Sequence, residues 1–223
     1  DVESILTIAK KHNLYTISDT AQAIGSKVKN KYTGTLTDIG GFSFNWHKHL
    51  NCGEGGMVIT NNKNLAKRMM LARNHGEGLN GQFGHNFRMT EICASLIRDQ
   101  LPRLKDRIKE RNHVVQRLKS RVFNENIIFP KVLDGNTHAY CTLPILISNR
   151  PLRNNIFKHL SLLFPVRKTF SRGPLHMLKA CKPYYSKMPN AEAVPKILLD
   201  FDMNYKYHPR DIDLIADFFN MST

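Results

Sequence analysis

The sequence is poor in acid, in cysteine and in long apolar runs, and each shortage excludes something. Eighteen Asp and Glu stand against 33 Lys and Arg, a formal charge of +15 over 223 residues. Such an excess raises a polyanion as partner. The basic residues are spread along the chain, however. None of the basic stretches is interleaved with the stacking aromatics that RNA-binding modules use, so a nucleic-acid module is not expected. A basic surface suits small anionic substrates equally well. The four cysteines, Cys52, Cys93, Cys141 and Cys181, are scattered. No two are close enough in sequence for a C-x-x-C metal site or a dense disulfide framework, and a reducing, cytoplasmic setting fits. No run of about 18 apolar residues occurs, so no membrane span is expected. Repeats and low-complexity tracts are lacking as well. What remains is an ordinary globular mixture, 41% hydrophobic and 23% charged. That is enough for one large domain or two small ones with a core.

The opening "DVESILTIAKKHN" is an amphipathic helix pattern, with Val2, Ile5, Leu6 and Ile8 on one face. It has no apolar centre of the kind a signal peptide needs. It lacks an initiator Met and starts in mid-element, which points to a beginning inside a longer protein. "LYTISD" (14–19), "GGFSF" (40–44) and "GMVIT" (56–60) read as strands, and 61–76 as a turn, a helix and a glycine stop. Alternating strands and helices predict an α/β layer, whose ligand crevice lies beyond the carboxyl ends of the strands. Residues 91–121 read as a long helical segment with Pro102 as a kink or restart. Beyond it "IIFP" and "YCTLPILI" read as short strands, and "RNNIFKHLSLL" and "DIDLIADFF" as helices. Prolines 165, 174, 183, 189, 195 and 209 are expected to break the intervening stretch into loops. The organisation expected is a first domain over 1–95, a connecting helix over 96–121 and a smaller α+β domain over 122–223.

Several residues are candidates for chemistry. Asp19 closes a strand; it is either a helix N-cap or a carboxylate aimed at a ligand. Gln22 is either its capping-box partner or a ligand contact. Lys48 follows the aromatic strand Phe42-Ser43-Phe44 and precedes Gly53, Gly55 and Gly56. An amine set among other cations, or withdrawn from water, is more readily neutral and attacks carbonyls. His47 and His49 flank it, but alternate residues of an extended loop point opposite ways, so no metal site is expected there. Ser43 faces away from the core if its Phe neighbours face inward, and is then free for an anion. Asn86 and Arg88 lie in a loop before a helix that Thr90 can cap, a placement that suits phosphate.

Each feature alone has an ordinary reading; their order is more specific. A strand with Asp-x-x-Gln is followed by F-S-F-x3-K-x4-G-E-G-G, then by G-x-N-x-R-M-x-E, with Gln100-Leu101 further on. This order closely resembles the DegT/DnrJ/EryC1/StrS family of sugar aminotransferases, pyridoxal-phosphate enzymes of fold type I. "DTAQAIGS", "GGFSFNWHKHLNCGEGGMVIT" and "GHNFRM" match its pattern, and "GPLHM" at 173–177 is similar to its C-terminal signature.

The resemblance implies part of the fold-type-I large domain, a mostly parallel sheet with helices on both faces, followed by a small α+β domain. It implies that the N-terminal part of that large domain lies outside this sequence. It implies Lys48 as the imine-forming lysine, Asp19 on the pyridinium nitrogen, Gln22 near the phenolic oxygen and Ser43 on the phosphate. Asn86 is implied to reach the phosphate of a neighbouring subunit in a homodimer with composite sites. Arg88 and His176 are substrate candidates. The implied activity is amino transfer, from glutamate or glutamine, to a keto group of a nucleotide-linked sugar. Some relatives are dehydratases with His at the lysine position; Lys48 between His47 and His49 favours transamination. The alternatives are a dehydratase on the same scaffold, or a non-catalytic fragment lacking part of the site.

Overall fold

In the computed structural model, residues 1–78, 83–170 and 172–221 are described. The chain packs as two units, Asp1–Lys109 with Val132–Tyr140, and Glu110–Lys131 with Cys141–Thr223.

The first unit opens with α1 (Val2–Lys11), where Asp1 Oδ1 accepts from the Ser4 backbone N–H at 3.0 Å. Short strands β1 (Ile17–Asp19), β2 (Lys27–Val28) and β3 (Lys31–Tyr32) follow, then β4 (Ile39–Ser43) and β5 (Gly56–Ile59). β1 runs parallel to β4, and β5 runs antiparallel to it, so this sheet is mixed, in the order β1-β4-β5. β2 and β3 form a separate antiparallel pair. Helix α2 (Lys63–Arg73) starts at Asn62, whose side chain accepts from the N–H groups of Asn64 and Leu65. It stops before Gly76, which takes a φ of +75°.

Helix α3 (Glu91–Gln100) is capped by Thr90. Pro102 sits in a one-turn 3-10 helix, Leu101–Arg103, that leads into α4 (Leu104–Arg121). The long helical segment thus restarts at the proline, as its missing N–H requires. Phe44, Leu50, Leu104, Ile108 and Ala139 form a buried cluster in this unit, with Ile24, Cys52, Met89 and Ile97 packed against it.

The second unit holds β6 (Ile127–Ile128), β7 (Thr142–Ile147), α5 (Arg150–Leu160), β8 (Val166–Arg167), α6 (Pro189–Ile197), β9 (Leu198–Asp202) and α7 (Pro209–Met221). Its sheet is antiparallel throughout, in the order β6-β7-β9-β8. Along β7 every second residue is buried, which puts Leu143, Ile145 and Ile147 on the core face. Phe201 of β9 meets Phe219 of α7 edge-on at 6.1 Å.

The stretch expected to be proline-broken loop therefore contains a helix and a central strand. Pro189 occupies the first turn of α6, where no N–H is needed, and Pro195 costs one bond near its end. β9 is "LLDFD", four of whose five residues are buried. Burial on both faces removes the alternation that marks a half-exposed strand.

Among the described residues no helix is long and apolar enough to cross a membrane.

Candidate active site

The register of the first sheet decides which side chains share a face. Asp19 pairs with Gly41, and Gly41 with Val58; Ser43 pairs with Gly56. Paired residues point the same way and neighbours along a strand point opposite ways. Asp19, Gly41 and Ser43 therefore open onto one face, while Gly40 and Phe42 open onto the other. That other face is tightly covered: a Cβ on Gly40 would stand 2.3 Å from the Gly34 carbonyl oxygen. A Cβ on Gly41 would meet nothing nearer than the Ser18 carbonyl oxygen at 3.8 Å. The result is a bare floor between a carboxylate on one strand and a hydroxyl on the next, the strands being about 4.8 Å apart. Both groups lie at the carboxyl ends of parallel strands, where α/β sheets bind ligands.

Asp19 is exposed, and its Oδ1 accepts from the Ala21 N–H at 3.1 Å. No helix begins in residues 20–25, so the helix-cap reading of Asp19 and the capping-box reading of Gln22 do not apply. Thr20 beside it is buried and donates both its N–H and its hydroxyl to the Gly41 carbonyl, at 2.9 and 2.5 Å. This fixes the end of β1 to β4 and with it the base of Asp19. Gln22 is exposed in the turn that follows. Ser43 Oγ accepts from the Asn45 N–H at 3.3 Å, which leaves its O–H to be donated.

Lys48 lies in the loop after β4. It is only 8% exposed, and among the described residues its ammonium makes no hydrogen bond or ion pair. Lysine is rarely buried unless paired, because desolvating a charge is costly. The loop is closed at its base by Phe44 N–H to the Gly55 carbonyl at 2.8 Å and Cys52 N–H to the Phe44 carbonyl at 3.0 Å. Gly53 turns it with a φ of +88°, and a side chain on Gly55 would press on Cys52 Sγ and Met89. Burial, and then the neighbouring Cys93 thiol, pushes the Cys52 thiol above its usual range.

The two histidines diverge. His49 is buried and its Nε2 bonds the Ala139 carbonyl at 2.8 Å, while His47 packs edge-on against Trp46. Among the described residues no group of three or more His, Cys, Asp or Glu could hold a metal ion.

Asn86 and Arg88 stand apart from this floor. Asn86 Oδ1 accepts from Arg88 Nε at 3.0 Å, and Arg88 approaches His75 Nε2 at 3.2 Å. Their loop is bridged to Asn74 and anchored by Met89 in the core beside Gly55. His176 belongs to the second unit, in the 3-10 turn Leu175–Met177, with Nε2 3.3 Å from Glu192 Oε1. The Met188 N–H, and then His176, hold the Glu192 carboxyl below its usual range.

Asp19, Gly41 and Ser43 suit a phosphorylated pyridine, with a carboxylate for a ring N–H, a hydroxyl for phosphate and a floor without side chains for a flat ring; Lys48, in the loop that follows β4, offers an amine for a carbonyl. Of the residues that hold the lysine loop, sequence reading named Gln100 only as part of the motif order, without a role, and did not find Arg107. They bond Asn51 and His49 across 49 and 58 positions, where no local pattern links them.

Known proteins share this chain's pattern. The profile of the DegT/DnrJ/EryC1/StrS aminotransferase family matches residues 1–219. The chain is 35% identical to GDP-perosamine synthase of Escherichia coli O157:H7, over 86% of this chain and 54% of that protein. It is 34% identical to UDP-4-amino-4,6-dideoxy-N-acetyl-beta-L-altrosamine transaminase of Helicobacter pylori, over 67% of this chain and 42% of that protein. A solved DegT DnrJ EryC1 StrS aminotransferase from Brucella abortus matches with a TM-score of 0.89 at 28% identity, over 98% of this chain and 60% of that one. The chain thus spans about half the length of the relatives it matches.

Proposed function

This chain belongs to the DegT/DnrJ/EryC1/StrS aminotransferase family, and from that premise we propose that it carries the lysine-bearing part of a pyridoxal-phosphate-dependent aminotransferase. The reaction moves an amino group from an amino acid, glutamate or glutamine, to a keto group of a nucleotide-linked sugar. The observation that carries this reading is Lys48, a buried residue whose side-chain amine has no hydrogen bond or ion pair among the described residues, in the loop that leaves Ser43. The sugar is supported by the names of two relatives, which carry GDP and UDP.

The chemistry that pyridoxal 5'-phosphate supplies when bound is an electron sink and a carbonyl that can carry an amino group. The residues of this chain do the rest. Lys48 would hold the cofactor through Nζ, and once the substrate amine has displaced it, the freed amine would take up and return the substrate's Cα proton. The Asp19 carboxylate keeps a proton on the ring nitrogen. Gln22 orients the ring from the side of its phenolic oxygen. Ser43 donates its free O–H to the phosphate. Asn86 reaches the phosphate in a partner copy, so that a homodimer builds composite sites, and Arg88 and His176 serve the substrate. Among the described residues no cysteine forms a disulfide, which suits a reducing compartment such as the cytoplasm.

Borohydride reduction of the cofactor-loaded protein tests the reading. One labelled peptide is expected, the one containing Lys48, and glutamate should convert the bound cofactor to its amine form. A label on another lysine overturns the assignment. No conversion by any amino donor moves the activity to the dehydratase reading. A second reading rests on the chain's covering about half the length of its relatives: this stretch alone would hold only part of a site. Failure of the isolated chain to retain cofactor, against retention by the full-length protein, identifies that case.

A further inference from the structure

We propose that Gln100 and Arg107 are positioning residues for Lys48, setting the place of its amine through the backbone of Asn51 and His49. The proposal rests on the reading of Lys48 as the cofactor lysine.

A lysine amine ends a long flexible side chain, and a reacting group displaced by about 1 Å loses about 100-fold in rate. Something must therefore hold the loop that carries it. Its base is held by backbone bonds between Phe44, Cys52 and Gly55. Among the described residues its tip has no strand partner. Two side chains from outside the loop take that place. Gln100, the last residue of α3, donates Nε2–H to the Asn51 carbonyl at 2.7 Å and accepts from the Asn51 N–H at Oε1 at 3.2 Å. Arg107, in the first turn of α4, donates to the His49 carbonyl at 2.9 Å. A further bond from Gln100 Nε2 to the Leu96 carbonyl, 3.0 Å long, fixes the amide itself. Between these two polar grips Leu50 is buried with Leu104 and Ile108. The peptide groups on both sides of Leu50 are thus held from the same helical corner, and Lys48 is the next residue along.

The chemistry of the grip is specific. A primary amide presents a donor and an acceptor in one plane and can bond both the N–H and the C=O of one residue. Glutamate keeps the acceptor, but brings a carboxylate to the Asn51 carbonyl. Leucine keeps the volume and loses both bonds. Lysine at 107 keeps one donor and loses the rigid fork.

The test uses the full-length, cofactor-loaded protein with Gln100→Leu, Gln100→Glu, Arg107→Met and Arg107→Lys. Hydrogen exchange of the backbone amides at 49–51 should accelerate at least about tenfold in Gln100→Leu and Arg107→Met, by loss of local protection. The kcat per borohydride-trapped cofactor should fall about 100-fold in the same variants, with the KM for the sugar little changed. Arg107→Lys should recover part of both. Should Gln100→Leu fail to fold, Gln100→Glu carries the same measurement at nearly constant size. Unchanged exchange, or unchanged kcat per trapped cofactor despite faster exchange, overturns the positioning role while leaving Lys48 in place. Labelling of wild type at a lysine other than Lys48 overturns both the role and the reading beneath it.

Discussion

Lys48 concentrates a conflict between stability and function. Burying most of a charged side chain with no ion pair among the described residues carries a cost that a fold would shed if nothing used it. Lys48→Met is expected to raise the melting temperature of the cofactor-free protein while abolishing both the borohydride adduct and turnover. Lys48→Arg should also be inactive, because a guanidinium stays charged and forms no imine. A melting scan beside the labelling experiment checks this, and an unchanged or lower melting temperature for Lys48→Met would show that the charge is tolerated without cost. Asp19 separates structure from chemistry more cleanly. Its Oδ1 accepts from the Ala21 N–H, and Asn keeps an oxygen for that bond. Asp19→Asn should therefore fold and melt as wild type yet lose about 2–4 kcal/mol of transition-state stabilisation, read as kcat/KM. Near-normal turnover would reduce Asp19 to a turn residue.

At the scale of the element, β4 shows one strand doing two jobs through adjacent glycines. Gly40 faces the covered side, where the Gly34 backbone leaves no room for a methyl group, and Gly41 faces the bare floor. Gly40→Ala should destabilise the protein by about 1–3 kcal/mol through overpacking, measured by denaturant titration. Gly41→Ala should leave stability close to wild type. Gly41→Leu should fold but bind pyridoxal phosphate weakly, measured by absorbance titration, since its side chain would fill the floor between Asp19 and Ser43. Equal cofactor affinity in Gly41→Leu would place the ring elsewhere. β9 and α6 illustrate the opposite case, elements hidden from pattern reading. A proline at the start of a helix and a strand buried on both faces both look like interruptions until their neighbours are known.

At the scale of the whole molecule the question is where Asn86 acts. In the structure its Oδ1 is engaged by Arg88, and no bond joins the pair to Asp19, Ser43 or Lys48 among the described residues. The composite site proposed above would account for a polar loop of this kind. In a two-fold dimer the same patches meet in both directions. Equal amounts of the inactive Asn86→Ala and Lys48→Ala proteins, allowed to exchange subunits, should regain activity in about a quarter of the sites, because about half of the dimers are mixed and each has one intact site. No recovery after exchange, or full activity in a monomer, would remove the partner from the site.

The local sequence determined much of this protein. The amphipathic period of 2–11, the aromatic strand read at 40–44 and the restart at Pro102 all act within a few residues of themselves. Such signals survive in a one-dimensional string, because backbone propensity and turn chemistry are short-range. The tertiary structure alone decided that Asp19, Gly41 and Ser43 share a face, that most of Lys48 is buried, and that His49 grips Ala139 across 90 positions. It also decided that Gln100 and Arg107 hold the lysine's loop. The reason is physical. A register, a burial and a side-chain bond to a distant backbone each depend on which segments meet, and that is settled only when hydrophobic packing brings them together.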